Sequence, residues 1–250
     1  MILTIARREL RTLFLSPLAW IILGILQLIL GFLFVGHLDL YLRLEPRLLT
    51  LPHAPGMTEV VGAPTLGNAS VLMLLVVPML SMRLISEERR SRTLALLFSA
   101  PLSMTEIVLG KYLGLLGFLL ITAVLTVLMP LSLLLGGSLD GGMFAAGVLG
   151  LVLVLATFAA VGLLVSALSP NPTLAAIGTF GALFLLWIAA WSASGTGAVD
   201  AILRYVSLVN HFEPFLHGVV GSVHVAYFLL LSALCLMLTI RRLDADRLGG

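Results

Sequence analysis

Charge is what this chain has least of. Only 10% of its 250 residues are Asp, Glu, Lys or Arg, while 60% are hydrophobic, against roughly 25% charged in ordinary soluble domains. A soluble globule of this length could not hide so much apolar surface, and a disordered chain would not carry it. A single cysteine, Cys235, excludes an internal disulfide framework. Lysine occurs once, at Lys111, in Leu109-Gly110-Lys111-Tyr112. A phosphate-binding loop needs Gly-x-x-x-x-Gly-Lys-Ser/Thr, so that amides and ammonium wrap the phosphates. Here the first glycine and the hydroxyl are missing, which excludes ATP binding by that route. No HExxH pair is present either.

Long uncharged runs take the place of those features. No charged residue occurs between Arg11 and Asp39, Glu59 and Arg83, Lys111 and Asp140, Asp140 and Asp200, or Glu213 and Arg241. A membrane-crossing helix needs about 20 largely apolar residues. Four of these gaps hold one such helix. The fourth gap in chain order, 141–199, holds two, because Ser169-Pro170-Asn171-Pro172 ends one helix and starts the next. The sequence therefore predicts an all-α integral membrane protein, a single permease-sized domain over 1–250. Its six spans fall at about 17–36, 66–84, 107–135, 143–168, 173–193 and 221–240. The first is too long in its apolar stretch for a cleaved signal peptide and lacks a small-x-small cleavage site.

Cations mark the sides. With the N-terminus inside, the inner segments hold Arg7, Arg8, Arg11, Arg83, Arg89, Arg90, Arg92, Lys111, Arg241, Arg242 and Arg247, and the outer ones only Arg43, Arg47 and Arg204. The positive-inside rule then predicts both termini in the cytoplasm. Residues 1–14 read as an interfacial amphipathic helix. Ile2, Ile5, Leu10, Leu13 and Phe14 fall mostly on one side, and Arg7, Arg8 and Arg11 on the other, facing anionic headgroups. The alternative is a plain positive anchor for the first span. Residues 37–65 are expected to be an outside loop. Residues 194–220 are expected to hold two short outside helices, 201–209 and 211–217, capped by Asp200 and Asn210.

The most informative stretch is 83–111. Ser86 is expected to cap a helix with Glu87 and Glu88 in its first turn and an apolar face of Leu94, Leu97 and Phe98. Pro101 breaks the chain. Ser103-x-x-Glu106 is a capping box leading into the third span. Such a helix, held between two spans and bearing both charges, suits docking on a soluble partner; the alternative is an ordinary polar loop.

Other chemistry is poorly supported. The predicted spans carry no ionisable residue well inside the bilayer, which argues against ion coupling within the chain; Gln27 is the strongest polar group near mid-membrane. Glu87 and Glu88 are adjacent and point apart on a helix, so they are no acid–base pair. His211, Glu213, His217 and His224 lack the spacing of a helix-face metal site. For an intramembrane protease, Ser192 stands where Gly-x-Ser-Gly wants glycine, and Ser194 falls at the membrane edge. Gly110 and Gly114 form a small-xxx-small pair, a pattern common by chance among 24 glycines.

Two segments carry a resemblance. Glu87-Glu88-Arg89-Arg90-Ser91-Arg92-Thr93-Leu94-Ala95-Leu96-Leu97, then Ala100-Pro101-Leu102-Ser103 and Ile107-Val108-Leu109-Gly110-Lys111, and later His211-Phe212-Glu213-Pro214-Phe215-Leu216-His217-Gly218-Val219, resemble the membrane subunits of type-2 ABC exporters. The closest flavour is the gliding-motility and copper-enzyme-maturation group of permeases. Arg92 stands where that group usually has glycine, and Ala95 where it often has glutamate. Gly221 and His224 replace acidic residues frequent after the second motif. The resemblance implies that 83–111 is the coupling helix, seated in a groove of a separate ATPase. It assigns Glu87, Glu88, Arg89, Arg92 and Thr93 to ATPase contact and Leu94 and Phe98 to its apolar anchor. It implies an inner-membrane permease without catalysis or cofactor of its own, with ATP and Mg on the ATPase. The expected partners are that ATPase, a second permease copy or paralogue, and the lipid bilayer, with no nucleic acid. A different class stays open: a non-transporting anchor that recruits a motility or envelope-assembly machine.

Overall fold

A computed structural model describes residues 1–48, 55–91, 103–135, 138–192 and 197–248. The described chain is all-helical. In order it forms α1 (Ile2–Leu15), α2 (Pro17–Leu48), α3 (Ala63–Ser81, entered through a π-helical turn at Thr58–Gly62), α4 (Ser86–Arg90) and α5 (Met104–Leu131). Then follow α6 (Gly141–Leu168), α7 (Pro172–Ile188), α8 (Ala198–Val206), α9 (Leu208–Leu216) and α10 (Ser222–Leu248). Among the described residues, six helical stretches are long and apolar enough to cross a membrane: Pro17–Pro46, Thr58–Arg90, Met104–Leu135, Gly141–Leu168, Pro172–Trp191 and Ser222–Arg247.

The α6 span is the most buried of the six, while α2, α7 and α10 keep most of their surface exposed. Lipid tails are as apolar as leucine, so burial in a bilayer follows from close packing rather than from hydrophobicity. The sequence of α6 provides for that packing. A Cβ on Gly150 would lie 2.6 Å from Cβ of Phe215 on α9, and one on Gly147 would lie 2.8 Å from Leu66 on α3. Phe215 and Phe228 from the neighbours, and Phe158 of this helix itself, are fully buried.

Helix ends are set by local chemistry. Ser103 and Glu106 form the expected capping box, with the Glu106 amide donating to Ser103 Oγ at 3.2 Å and the Ser103 amide to Glu106 Oε2 at 3.1 Å. Asp140 caps α6 through the amides of Gly142 and Met143 at 2.9 and 3.1 Å. At the two-proline break α6 stops at Leu168, and Asn171 caps α7 through the Leu174 amide at 3.0 Å.

Several expectations need correction. The outer loop at 37–65 is largely helical. α2 runs on to Leu48, its polar end carrying an Asp39–Arg43 pair one turn apart at 2.8 Å, and the next helical turn begins at Thr58. The two short helices start three residues earlier than expected, at 198 and 208. Asp200 lies inside α8, where its carboxylate accepts from the Gly197 amide at 3.1 Å. Asn210 lies inside α9 and donates to the Arg204 carbonyl at 3.1 Å. Ser86 is no cap. It is the first residue of α4, and its hydroxyl turns back onto the Met82 carbonyl.

Candidate functional site

α4 occupies the end of the molecule where α1 and the end of α10 lie, and its side chains bond three neighbouring helices. The turn that carries it, Met82–Ile85, is fastened to α6 by one buried hydroxyl. Ser166 Oγ accepts the amides of Ile85 and Ser86 at 3.1 and 3.2 Å and donates to the Met82 carbonyl at 3.2 Å. Two otherwise orphaned amides are thereby satisfied in a place closed to water, and the Met82 carbonyl, which also accepts from Ser86, gains a second donor.

Glu88 points inward. Its carboxylate accepts from Lys111 Nζ at 2.8 Å, and the same ammonium donates to Glu9 on α1 at 3.0 Å. The Lys111 side chain is only 3% exposed. Burying an ammonium is affordable only with such partners, and here two carboxylates from two different helices supply them. Arg89 turns the other way. Its guanidinium donates to the Ala167 carbonyl at the end of α6, at 2.8 Å, and to the Asp246 carboxylate on α10. Asp246 also pairs with Arg242 at 3.3 Å. A cation at the carbonyl end of a helix is favoured by the helix dipole. One five-residue helix is thus bonded to α5, α6 and α10 through two adjacent side chains, and Lys111 extends the link to α1.

Glu87, Arg83 and Arg90 are exposed. Glu87 and Arg83 rim a cavity of about 230 Å³ between α1, the start of α2 and the α3–α4 turn, floored by Leu13, Ala19 and Leu80. The expected site residues therefore divide. Glu87 faces outward, and Glu88 and Arg89 are held within the chain. Arg92, Thr93, Leu94 and Phe98 lie outside the described residues.

α1 lies along α5, running in the same direction. Ile5 meets Gly110, Ala6 and Glu9 meet Gly114, and Phe14 packs on Phe118 with ring centroids 5.2 Å apart. A Cβ on Gly110 would stand 2.6 Å from Cβ of Ile5, and one on Gly114 the same distance from Cβ of Glu9. The small-xxx-small pair is therefore the notch that seats α1 and brings Glu9 to Lys111. The sequence signal was the pair itself; nothing local to it identified α1 as the occupant.

At the opposite end His211 on α9 meets His224 on α10, Nδ1 to Nδ1 at 2.8 Å, while its Nε2 bonds the Tyr205 carbonyl at 2.8 Å. Tyr227 stacks on the His211 ring at 4.0 Å. Among the described residues no group of three or more metal-ligating side chains gathers, so Glu213 and His217 do not join this pair. Ser194 lies outside the described residues. Gly218, at φ +81, closes α9. The Val219 amide reaches the Pro214 carbonyl at 2.9 Å and the Gly218 amide reaches that of Phe215 at 3.1 Å, the Schellman pattern that requires a left-handed residue.

Burial lowers the His211 pKa below its ordinary 6.5; the hydrogen bond to Tyr205 works against this, and the facing His224 adds to it. A base with a depressed folded pKa contributes stability above its unfolded value, and loses it as pH falls through the folded one. The melting temperature in detergent is accordingly expected to fall as the pH drops below about 6.5. His211→Gln, which keeps an amide for the Tyr205 carbonyl, is expected to remove that acid-dependent part. An unchanged acid slope in the variant would contradict the assignment.

Residues 3–218 match the family model described as ABC-2 family transporter protein. None of the curated proteins matches the chain significantly.

Proposed function

Because the chain belongs to the ABC-2 family of transporters, we propose that it is the membrane permease subunit of an ATP-driven exporter, powered by a separate ATPase. The reading rests on one observation: α4 is bonded directly to α5, α6 and α10 and, through Lys111, to Glu9 of α1, all at the end of the molecule where α1 lies. A segment so placed converts a push from outside into a concerted movement of helices. Rigid elements linked by hydrogen bonds and ion pairs are how such coupling is carried. The sequence has no phosphate loop and no Asp, Glu, Lys or Arg in mid-span, and in this reading its energy arrives from a partner that holds ATP and Mg.

In this account α4 and both termini face the cytoplasm of a bacterial inner membrane, and Glu87, with the segment that follows α4, meets the ATPase. Arg92, Thr93, Leu94 and Phe98 complete that contact. Glu88 and Arg89 act as positioning residues that pass the movement to α1, α5 and α10. A second copy or a paralogue supplies the other half of the translocation path. The resemblance at 87–111 and 211–219 favours the gliding-motility and copper-enzyme-maturation group among relatives.

The test is charge reversal at the outward carboxylate. In vesicles holding the chain with its ATPase, Glu87→Lys is expected to leave insertion and ATP hydrolysis intact while transport per ATP falls about tenfold, the loss of roughly 1.4 kcal/mol of coupling. Unaltered coupling would refute Glu87 as the contact.

A further inference from the structure

The face of α1 turned away from α5 is strongly basic. Thr4, Arg7, Arg8 and Arg11 recur at helical spacing and line one open hollow of about 490 Å³. All twelve Asp and Glu of the chain fall among the described residues, and no ion pair there involves Arg7, Arg8 or Arg11. Three exposed guanidiniums on one helix face thus have no carboxylate partner among the described residues. Their depth is set by α5. The Met104–Leu135 stretch has 32 residues, about 48 Å at 1.5 Å per residue, well over the roughly 30 Å of bilayer hydrocarbon. Its first two turns therefore stand at headgroup level, and α1 begins its contact with α5 at their edge, where Ile2 and Ile5 meet Gly110. Trp20, 58% exposed with its indole N–H donating to the Phe14 carbonyl at 2.8 Å, is an interfacial anchor at the same elbow.

We propose that this face binds the phosphate headgroups of anionic phospholipids, and that occupancy is passed to α4 through Glu9, Lys111 and Glu88. Phosphates between the arginines restrain α1 in its glycine notch. A seated α1 presents Glu9 to the ammonium, which in turn holds Glu88 and fixes α4. The charge of the leaflet thereby regulates the docking segment. The inference builds on the proposed role of α4, but its test uses this chain alone, so it fails or stands independently of any ATPase.

Two readouts are needed. For binding, the solubilised full chain is titrated with fluorescent phosphatidylglycerol and phosphatidylcholine. The wild type is expected to prefer the anionic lipid. Arg7→Gln/Arg8→Gln/Arg11→Gln is expected to lose that preference by about a hundredfold, given the contribution of each cation at an anionic surface. The corresponding triple lysine variant is expected to retain it. For transmission, spin labels are placed at Arg90→Cys on α4 and Arg241→Cys on α10, in a Cys235→Ser background. Their distance distribution is expected to be narrow in vesicles of equimolar phosphatidylcholine and phosphatidylglycerol and broad in phosphatidylcholine alone. The triple glutamine variant, and Glu88→Gln, which leaves the glycine notch untouched, are expected to be broad in both. Equal affinity for the two lipids overturns the proposal. So does a label distance indifferent to lipid, or one that still responds in Glu88→Gln. A triple glutamine variant that keeps its lipid preference but loses a co-purifying protein assigns this face to that protein and overturns it as well.

Discussion

Lys111→Met is expected to destabilise the protein by about 3–5 kcal/mol, the usual consequence of removing one partner from a buried ion pair. The ammonium is 3% exposed and serves Glu9 and Glu88 together. Without it two carboxylates face each other in a site with little water, and each must either protonate or swing out. The substituted side chain has nearly the volume of lysine, so packing changes little and the loss reports charge. The measurement is unfolding of the reconstituted chain in a mixed-micelle denaturant series. A triple variant, Glu9→Gln/Lys111→Met/Glu88→Gln, is expected to recover most of the loss, because neutral amides carry no uncompensated charge. A single variant as stable as the wild type, or a triple variant no better than the single, would show that the three groups do not act together.

Gly110→Leu/Gly114→Leu is expected to expel α1 from α5 altogether. Even a Cβ at either position would come within 2.6 Å of an α1 side chain carbon, a distance no relaxation of a rotamer relieves, since the obstructing atoms are themselves Cβ atoms. A detached α1 has 14 residues, a length at which an isolated helix is marginal in water. Its amides are expected to exchange with deuterium at least about tenfold faster in zwitterionic nanodiscs, corresponding to a loss of about 1.4 kcal/mol of local protection. Amides of α6 and α10 should keep their rates. Uniform protection of 2–15 in this variant would show that α1 is held by something other than the notch.

How much of this was legible in the sequence follows from the range over which each signal acts. The six spans were legible because a bilayer turns an uncharged run into a helix with little help from neighbours. The capping box at Ser103 and Glu106 and the break at Pro170 and Pro172 are local chemistry and were equally plain. The polar extension of α2 past residue 36 was not, since Asp39 and Arg43 look like loop residues until their pairing across one turn is seen. Asn210 resembled a cap but serves a carbonyl six residues back. The ionic cluster was the least visible. Lys111 is 102 residues from Glu9 and 23 from Glu88, and Arg89 is 157 from Asp246. No periodicity links them. The sequence singled out the 83–111 stretch, and the fold separates an outward Glu87 from an inward Glu88 and Arg89.

The central claim is that α4 and the residues following it receive force from a nucleotide hydrolase. The most direct measurement is a photo-crosslinking amino acid at Glu87 in the full-length chain, activated in native membranes, with the adduct identified by mass spectrometry. The account predicts a single dominant adduct, to a subunit that bears a phosphate-binding loop and hydrolyses ATP. Crosslinks confined to lipid, to this chain itself, or to proteins without a nucleotide site, in membranes where the chain is folded, would contradict it.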